Sequence, residues 1–220
     1  MKKTVTAVLL FLALFSLPAN AQFKLGLEPA LGMNFNIHTG SDLPESGSGF
    51  GLVAAGQVHM QFSNSIGMIA GLAFYDNRSG SYSQTGSSGG VNYTADVSSS
   101  LAYFQIESLF KYTLPSDLYF VIGPELGFNV ESESEADVKI TTPGFVFPGG
   151  GTSQTSKNSI KDTQVRFELK IGAGYEIPIA KKIQIVPQFT FGYGLTNVVK
   201  DFKWKILSFQ ALCGVKFDLL

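Results

Sequence analysis

The stretch Phe23-Lys24-Leu25-Gly26-Leu27-Glu28-Pro29-Ala30-Leu31-Gly32-Met33-Asn34-Phe35-Asn36-Ile37 decides how the rest of the chain is read. Its odd positions are all apolar: Phe23, Leu25, Leu27, Pro29, Leu31, Met33, Phe35 and Ile37. Its even positions are polar or small: Lys24, Gly26, Glu28, Ala30, Gly32, Asn34 and Asn36. A β-strand turns successive side chains to opposite faces, so this parity predicts one apolar face and one polar face. A helix would scatter the same residues around its circumference.

The pattern recurs seven more times. Phe50, Leu52, Ala54, Val58, Met60 and Phe62 oppose Gln57, His59 and Gln61, and Ile66, Met68, Ala70, Leu72 and Phe74 oppose Gly67, Gly71 and Tyr75. Ala102, Phe104, Ile106, Phe110 and Tyr112 stand against Tyr103, Gln105, Glu107 and Lys111. Leu118, Phe120, Ile122, Leu126 and Phe128 stand against Tyr119, Gly123, Glu125, Gly127 and Asn129. A sixth segment sets Val165, Phe167, Leu169, Ile171, Ala173, Tyr175 and Ile177 against Arg166, Glu168, Lys170, Gly172, Gly174 and Glu176. The last two run over 183–196 and 207–219 with the same alternation.

Each segment reaches the roughly 9–11 residues that a tilted strand needs to cross a membrane. The spacers alternate in length. Ser63–Ser65, Thr113–Asp117 and Pro178–Lys182 are short, whereas 38–48, 76–99, 131–163 and 197–203 are long. Short periplasmic turns facing longer outer loops is the asymmetry of outer-membrane barrels. The fold expected is all-β: an eight-stranded antiparallel up-and-down transmembrane β-barrel, apolar outside and polar inside, with both termini periplasmic. A soluble lipocalin-like barrel or sandwich would place the apolar face inward instead.

The ends and the composition agree. Lys2 and Lys3 precede an apolar stretch from Val5 to Leu17, and Pro18-Ala19-Asn20-Ala21 follows. That is the layout of a secretory signal peptide over 1–21, cut before Gln22, with the barrel domain over 22–220. The apolar core is shorter than the ~20 residues of a spanning helix. Losing Lys2 and Lys3 leaves 14 of the 16 basic residues against 17 acidic ones, which gives no basic surface for nucleic acid. Charged residues make up 15% of the chain, below the roughly 25% of soluble domains. No later apolar run is long enough for a helical span, which leaves a closed barrel as the spanning structure. Cys213 has no second cysteine to pair with, so an intramolecular disulfide is excluded.

Candidate chemistry sits on the inward face. Lys24, Lys111, Arg166, Lys170 and Lys216 face Glu28, Glu107, Glu125, Glu168 and Glu176, five of each sign. Charges taken out of water must be paired and hydrogen-bonded. An eight-stranded barrel is about filled by its own side chains, so these residues are expected to form a structural network in a plugged lumen. Glu28–Lys216 would brace the first and last strands, and Glu107, Glu125 and Lys170 would group between the fourth and sixth. The alternative is a narrow ion path lined by the same residues.

His59, beside Gln57 and Gln61, reads as a hydrogen-bonded structural histidine. His38 near Ser41, Asp42 and Glu45 permits a Ser-His-acid arrangement, hence an alternative as an outer-leaflet lipid hydrolase or acyltransferase. Glu131, Glu133, Glu135 and Asp137 line one face of a strand extension rather than enclosing a cation. Val91, Tyr93, Ala95 and Val97 alternate ahead of the fourth segment, so the third and fourth strands are expected to project past the membrane as a ribbon. Pro148-Gly149-Gly150-Gly151 reads as a loop tip, and Thr190-Phe191-Gly192-Tyr193-Gly194 as strand rather than ion filter.

Several stretches resemble the PorT-like outer-membrane β-barrel family, among the small OmpA- or OmpX-like barrels. They are Phe23-Lys24-Leu25-Gly26-Leu27, Tyr103-Phe104-Gln105-Ile106, Leu109-Phe110-Lys111-Tyr112, Gly123-Pro124-Glu125-Leu126-Gly127, Gly172-Ala173-Gly174-Tyr175-Glu176, Tyr193-Gly194-Leu195-Thr196-Asn197 and Gly214-Val215-Lys216-Phe217. Glu107 stands where that family commonly has proline. The resemblance implies fold and a bacterial outer-membrane location more than chemistry. The expected role is structural or surface-interacting, through long outer loops, in a monomer without cofactor or metal. Its surroundings would be lipid and lipopolysaccharide, the barrel-assembly machinery during biogenesis, and an extracellular or envelope protein partner.

Overall fold

The computed structural model describes residues 23–219, and the signal segment 1–21 lies outside the described residues. Eleven strands follow the chain: β1 (Lys24–Thr39), β2 (Gly47–Gln61), β3 (Ile66–Asn77), β4 (Gly80–Ser88), β5 (Val91–Thr113), β6 (Leu118–Ile140), β7 (Ser153–Ser159), β8 (Arg166–Tyr175), β9 (Ile177–Ala180), β10 (Ile183–Gly194) and β11 (Lys205–Asp218).

Eight of them close a ring. Its order is β1-β2-β3-β5-β6-β8-β10-β11 and back to β1, with every pairing antiparallel. The alternation that predicted these strands also sets which side faces out. Leu31 and Phe50 are 69% and 70% exposed, whereas Glu28 and Asn34 are 1% and 0% exposed. A soluble barrel would invert those values, so the outer surface is built for lipid. Phe23 stacks near Phe62 toward one end of the wall, and Phe35 meets Phe50 toward the other. Aromatic residues at both rims fit the two membrane interfaces.

Two irregularities change what the parity predicts. A bulge between Ala73 and Asp76 gives β3 one extra residue against β2 and β5. A single extra residue exchanges the two faces of everything after it. Tyr75, expected inward, therefore faces out and is 43% exposed, while Asp76 and then Arg78 turn into the lumen and are fully buried. A second bulge beside Ala102 marks where β5 and β6 leave the barrel wall.

Beyond that point the chain keeps pairing. β4 runs along β5 from Gly80↔Ser99 to Ser88↔Val91, β5 along β6 up to Tyr93↔Ile140, and β6 along β7 from Glu133↔Ser159 to Lys139↔Ser153. The two longest spacers thus form a four-stranded outer sheet, ordered β4-β5-β6-β7, larger than the ribbon expected. Glu131, Glu133, Glu135 and Asp137 lie on its outer face, where Lys157 Nζ sits 2.7 Å from Glu133 Oε2 and Thr155 donates its hydroxyl hydrogen to Asp137.

Candidate functional site: the charged lumen and its outer cap

Inward side chains form three tiers. In the lowest, near the short turns, Glu176 receives both Lys111 and Lys216, the latter at 2.8 Å, and Glu28 Oε2 lies 2.8 Å from His59 Nε2. An apolar belt of Ile69, Leu109, Val121 and Val186 comes next, with Tyr119 donating its hydroxyl hydrogen to Gln188 at 3.0 Å. Lys111 Nζ stands 4.5 Å over the Tyr119 ring, so this cation is held by a carboxylate and an aromatic face together.

The middle tier is organised by Lys170. Its Nζ donates to Glu107 at 3.0 Å and to Gln210 at 3.1 Å, and it also pairs with Glu125. Gln57 supplies a further hydrogen to Glu107 at 3.0 Å. Glu125 continues upward, meeting Arg166 at 3.4 Å and Arg78 at 3.9 Å. In the upper tier Arg166 pairs with Glu168, which also accepts from Ser208 at 3.0 Å. Arg78 donates to Asp76 at 2.6 Å, and Asn34 donates to the other oxygen of Asp76 at 2.5 Å.

Glycines give these long side chains their room. A Cβ on Gly192 would lie 1.7 Å from Glu168 Oε1, and one on Gly214 would lie 2.1 Å from Glu28 Oε1. Each tier therefore interlocks a small residue on one strand with an acid on another. The void left inside the middle tier is about 10 Å³, roughly room for one water.

Of the ten charged residues expected in the lumen, Glu107, Glu125 and Lys170 meet as a group, and Arg166 and Glu168 extend it. Glu28 and Lys216 do not pair with each other: His59 lies against Glu28, and Lys216 reaches Glu176 and, at 3.6 Å, Asp218. Both sit on closing strands, but the long Lys216 side chain turns toward the rim acid. Lys24 is exposed at the lower rim, where it lines a polar vestibule of about 180 Å³ with Lys111, Glu176 and Lys216.

Asp76 and Arg78 were missed. The signal was present in the sequence: Phe74-Tyr75 breaks the alternation, and two charges then follow at i and i+2, the spacing of one strand face.

The upper mouth is closed by an apolar cap. Leu101, Tyr103, Val198, Trp204 and Ile206 are buried together, with Leu43, Ile160 and Phe202 packed against them. Trp204 donates its indole N–H to His38 Nδ1 at 3.1 Å. Ser41 gives its hydroxyl hydrogen to Asp42 at 3.0 Å instead, so the Ser-His-acid residues are not joined in a relay. The outer connections are laced together. The Lys203 amide donates to Asp42 at 2.9 Å, Gln164 to Val198 at 2.9 Å and Lys200 to Asp162 at 3.0 Å. With the Lys203 amide and the Ser41 hydroxyl both donating to it, the Asp42 carboxyl is held below the usual carboxylate range.

A closed antiparallel ring, apolar outside and ion-paired inside, is the architecture of outer-membrane barrels. The family profile described as outer membrane protein beta-barrel domain matches residues 19–200. This chain belongs to that family. Outer-membrane barrels of this kind sit in the bacterial outer membrane among lipid and lipopolysaccharide. In fold the barrel is similar to Ail, the attachment invasion locus protein of Yersinia pestis, at 11% identity over 87% of this chain and 98% of that one, TM-score 0.43. It is also similar to Neisserial surface protein A, at 13% identity over 89% and 96%, TM-score 0.39. A third similar structure is the outer membrane protease OmpT of Escherichia coli, at 9% identity over 93% and 99%, TM-score 0.35. No curated protein matches the sequence.

Proposed function

We propose that this barrel is a non-conducting, non-enzymatic surface protein that engages an extracellular or envelope protein partner through its outer sheet. The observation that carries the reading is the sheet itself. Strands β4 to β7 stand beyond the barrel wall, every residue of β7 is exposed, and the far edge of β7 has no neighbour strand among the described residues. An open edge offers unpaired N–H and C=O groups to an incoming strand, and such β-augmentation gives affinity through main-chain hydrogen bonds. The filled lumen supports the rest of the reading, because the same charges that would line an ion path are committed to one another.

Within the family, the motifs at 103–112, 123–127 and 172–176 favour the PorT-like branch. Export after cleavage before Gln22, delivery by the barrel-assembly machinery and a monomeric state belong to the same proposal. The test removes residues 140–158 and measures three things on refolded protein. Heat-modifiable gel migration should persist, planar bilayers should show no stepwise conductance with or without the deletion, and cross-linking to a partner on cells from Ser159→Cys, an exposed position that the deletion retains, should disappear with it. Stepwise conductance of the wild type, or turnover of phospholipid or lipid A, would overturn the reading.

A further inference from the structure

We infer that the cavity between the barrel mouth and the outer sheet is a binding site for a small, uncharged, largely apolar molecule. The cavity measures about 170 Å³. Trp204 and His38 form its floor, Tyr82 and Val97 its roof, and Leu43 and Phe202 its walls. These residues come from three of the four outer connections and the top of β1, and Ile160 adds the remaining connection. The hydrogen bonds lacing Asp42 to Lys203 and Val198 to Gln164 hold the site formed without a ligand.

Size and charge set the ligand class. A void of roughly 150 Å³ with mostly apolar walls accepts a molecule the size of benzene. Among the described residues, those lining this cavity include no Lys, Arg, Asp or Glu. The lower vestibule has nearly the same volume but is lined by Lys24, Lys111, Glu176, Lys216 and Asp218, so the contrast lies in chemistry and not in size. His38 adds no charge, because its Nδ1 accepts the Trp204 indole hydrogen and the ring is therefore neutral, with its proton on Nε2. The ring lies against the backbone of Arg78 and Ser79. A ligand with a single acceptor, such as a ketone oxygen, would meet the hydroxyls of Tyr82 and Ser134 on the cavity lining. The site does not depend on the sheet edge having a protein partner.

Trp204 is the chain's one tryptophan, so its emission reports on the cavity floor directly. Full-length protein refolded in detergent is titrated with 4-bromoacetophenone, whose bromine quenches an indole in contact. The wild type should show saturable quenching, with 4-bromobenzoate giving none. Val97→Phe fills the cavity from the roof and should remove the saturable part while leaving heat-modifiable migration intact; Leu43→Phe does the same from the wall if the first variant fails to fold. Quenching that is linear and equal in wild type and both variants, or saturation by the carboxylate as well as by the ketone, would overturn the assignment.

Discussion

Replacing Lys170 by methionine should destabilise the barrel by about 3 kcal/mol, toward the lower end of the roughly 3–5 kcal/mol measured when one partner of a buried ion pair is removed. The structure sets where that cost falls. Lys170 serves Glu107 and Glu125, but Glu125 also has Arg166 at 3.4 Å and Arg78 at 3.9 Å. Glu107 is left with the neutral Gln57 amide, so the loss is concentrated on one buried carboxylate. Neutralising that carboxylate as well, in Lys170→Met with Glu107→Gln, should recover at least about 1 kcal/mol relative to the sum of the single changes, as expected for directly coupled neighbours. The assay is urea unfolding of the barrel in lipid vesicles, followed by the emission of Trp204, with the m value required to stay constant. A change within about 0.5 kcal/mol for Lys170→Met, the range of surface substitutions, would refute the reasoning. It would mean that water already solvates Glu107, and that the lumen is an open path rather than a plug.

Three further outcomes are expected. Gly192→Ala brings a methyl carbon to 1.7 Å from Oε1 of Glu168, whose carboxylate is tied through Oε1 to Ser208 and through Oε2 to Arg166. A cost of roughly 1–3 kcal/mol, as in other overpacked interiors, should appear in the same unfolding assay. Asp42 is held below the usual carboxylate range, so its contribution to loop packing is present above that range and is lost as pH falls through its lowered value. Protection of the Lys203 amide from hydrogen exchange, relative to its intrinsic rate at each pH, should therefore fall in acid only below the ordinary carboxylate titration, and Asp42→Asn should remove that dependence. Cys213 is exposed and paired in register with Leu31 and Pro187 on the lipid face, so in vesicles it should react with an apolar maleimide and resist a charged one. Equal labelling by both would place that face in water.

The barrel was legible because a membrane imposes one dry face on every strand, and β1, β8 and β11 carry that contrast without interruption. The inward set was legible for the same reason wherever parity held. It failed at β3, where one extra residue moved Tyr75 out and carried Asp76 and Arg78 in. Pairing partners inside the lumen were harder still. Glu28 and Lys216 occupy adjacent strands, yet His59 and Glu176 lie closer to their charged ends. Strand adjacency fixes where a backbone runs, but a long side chain can reach across the ring. Strands β4 and β7 escaped because Ser81-Tyr82-Ser83-Gln84-Thr85 and Ser153-Gln154-Thr155-Ser156-Lys157 offer little apolar contrast between their faces. Their pairing comes from the neighbour strand, not from burial, and β-propensity in such sequences depends on context. The cavity under the sheet could not be read at all, since its walls come from connections far apart in sequence.

β5 and β6 each run 23 residues, from the lower turn through the membrane and into the outer sheet, with one bulge beside Ala102. Residues 131–140 alone span about 30 Å of strand beyond the rim at roughly 3.3 Å per residue. With one bulge and no loop between sheet and wall, a pull on a partner of the proposed kind held at β7 would pass along these two backbones. It would load their shared ladder of hydrogen bonds in shear, many bonds at once, and not peel them one by one. The outer sheet is thus a continuation of the barrel wall, and a partner of the kind proposed would be held at a set distance from the membrane.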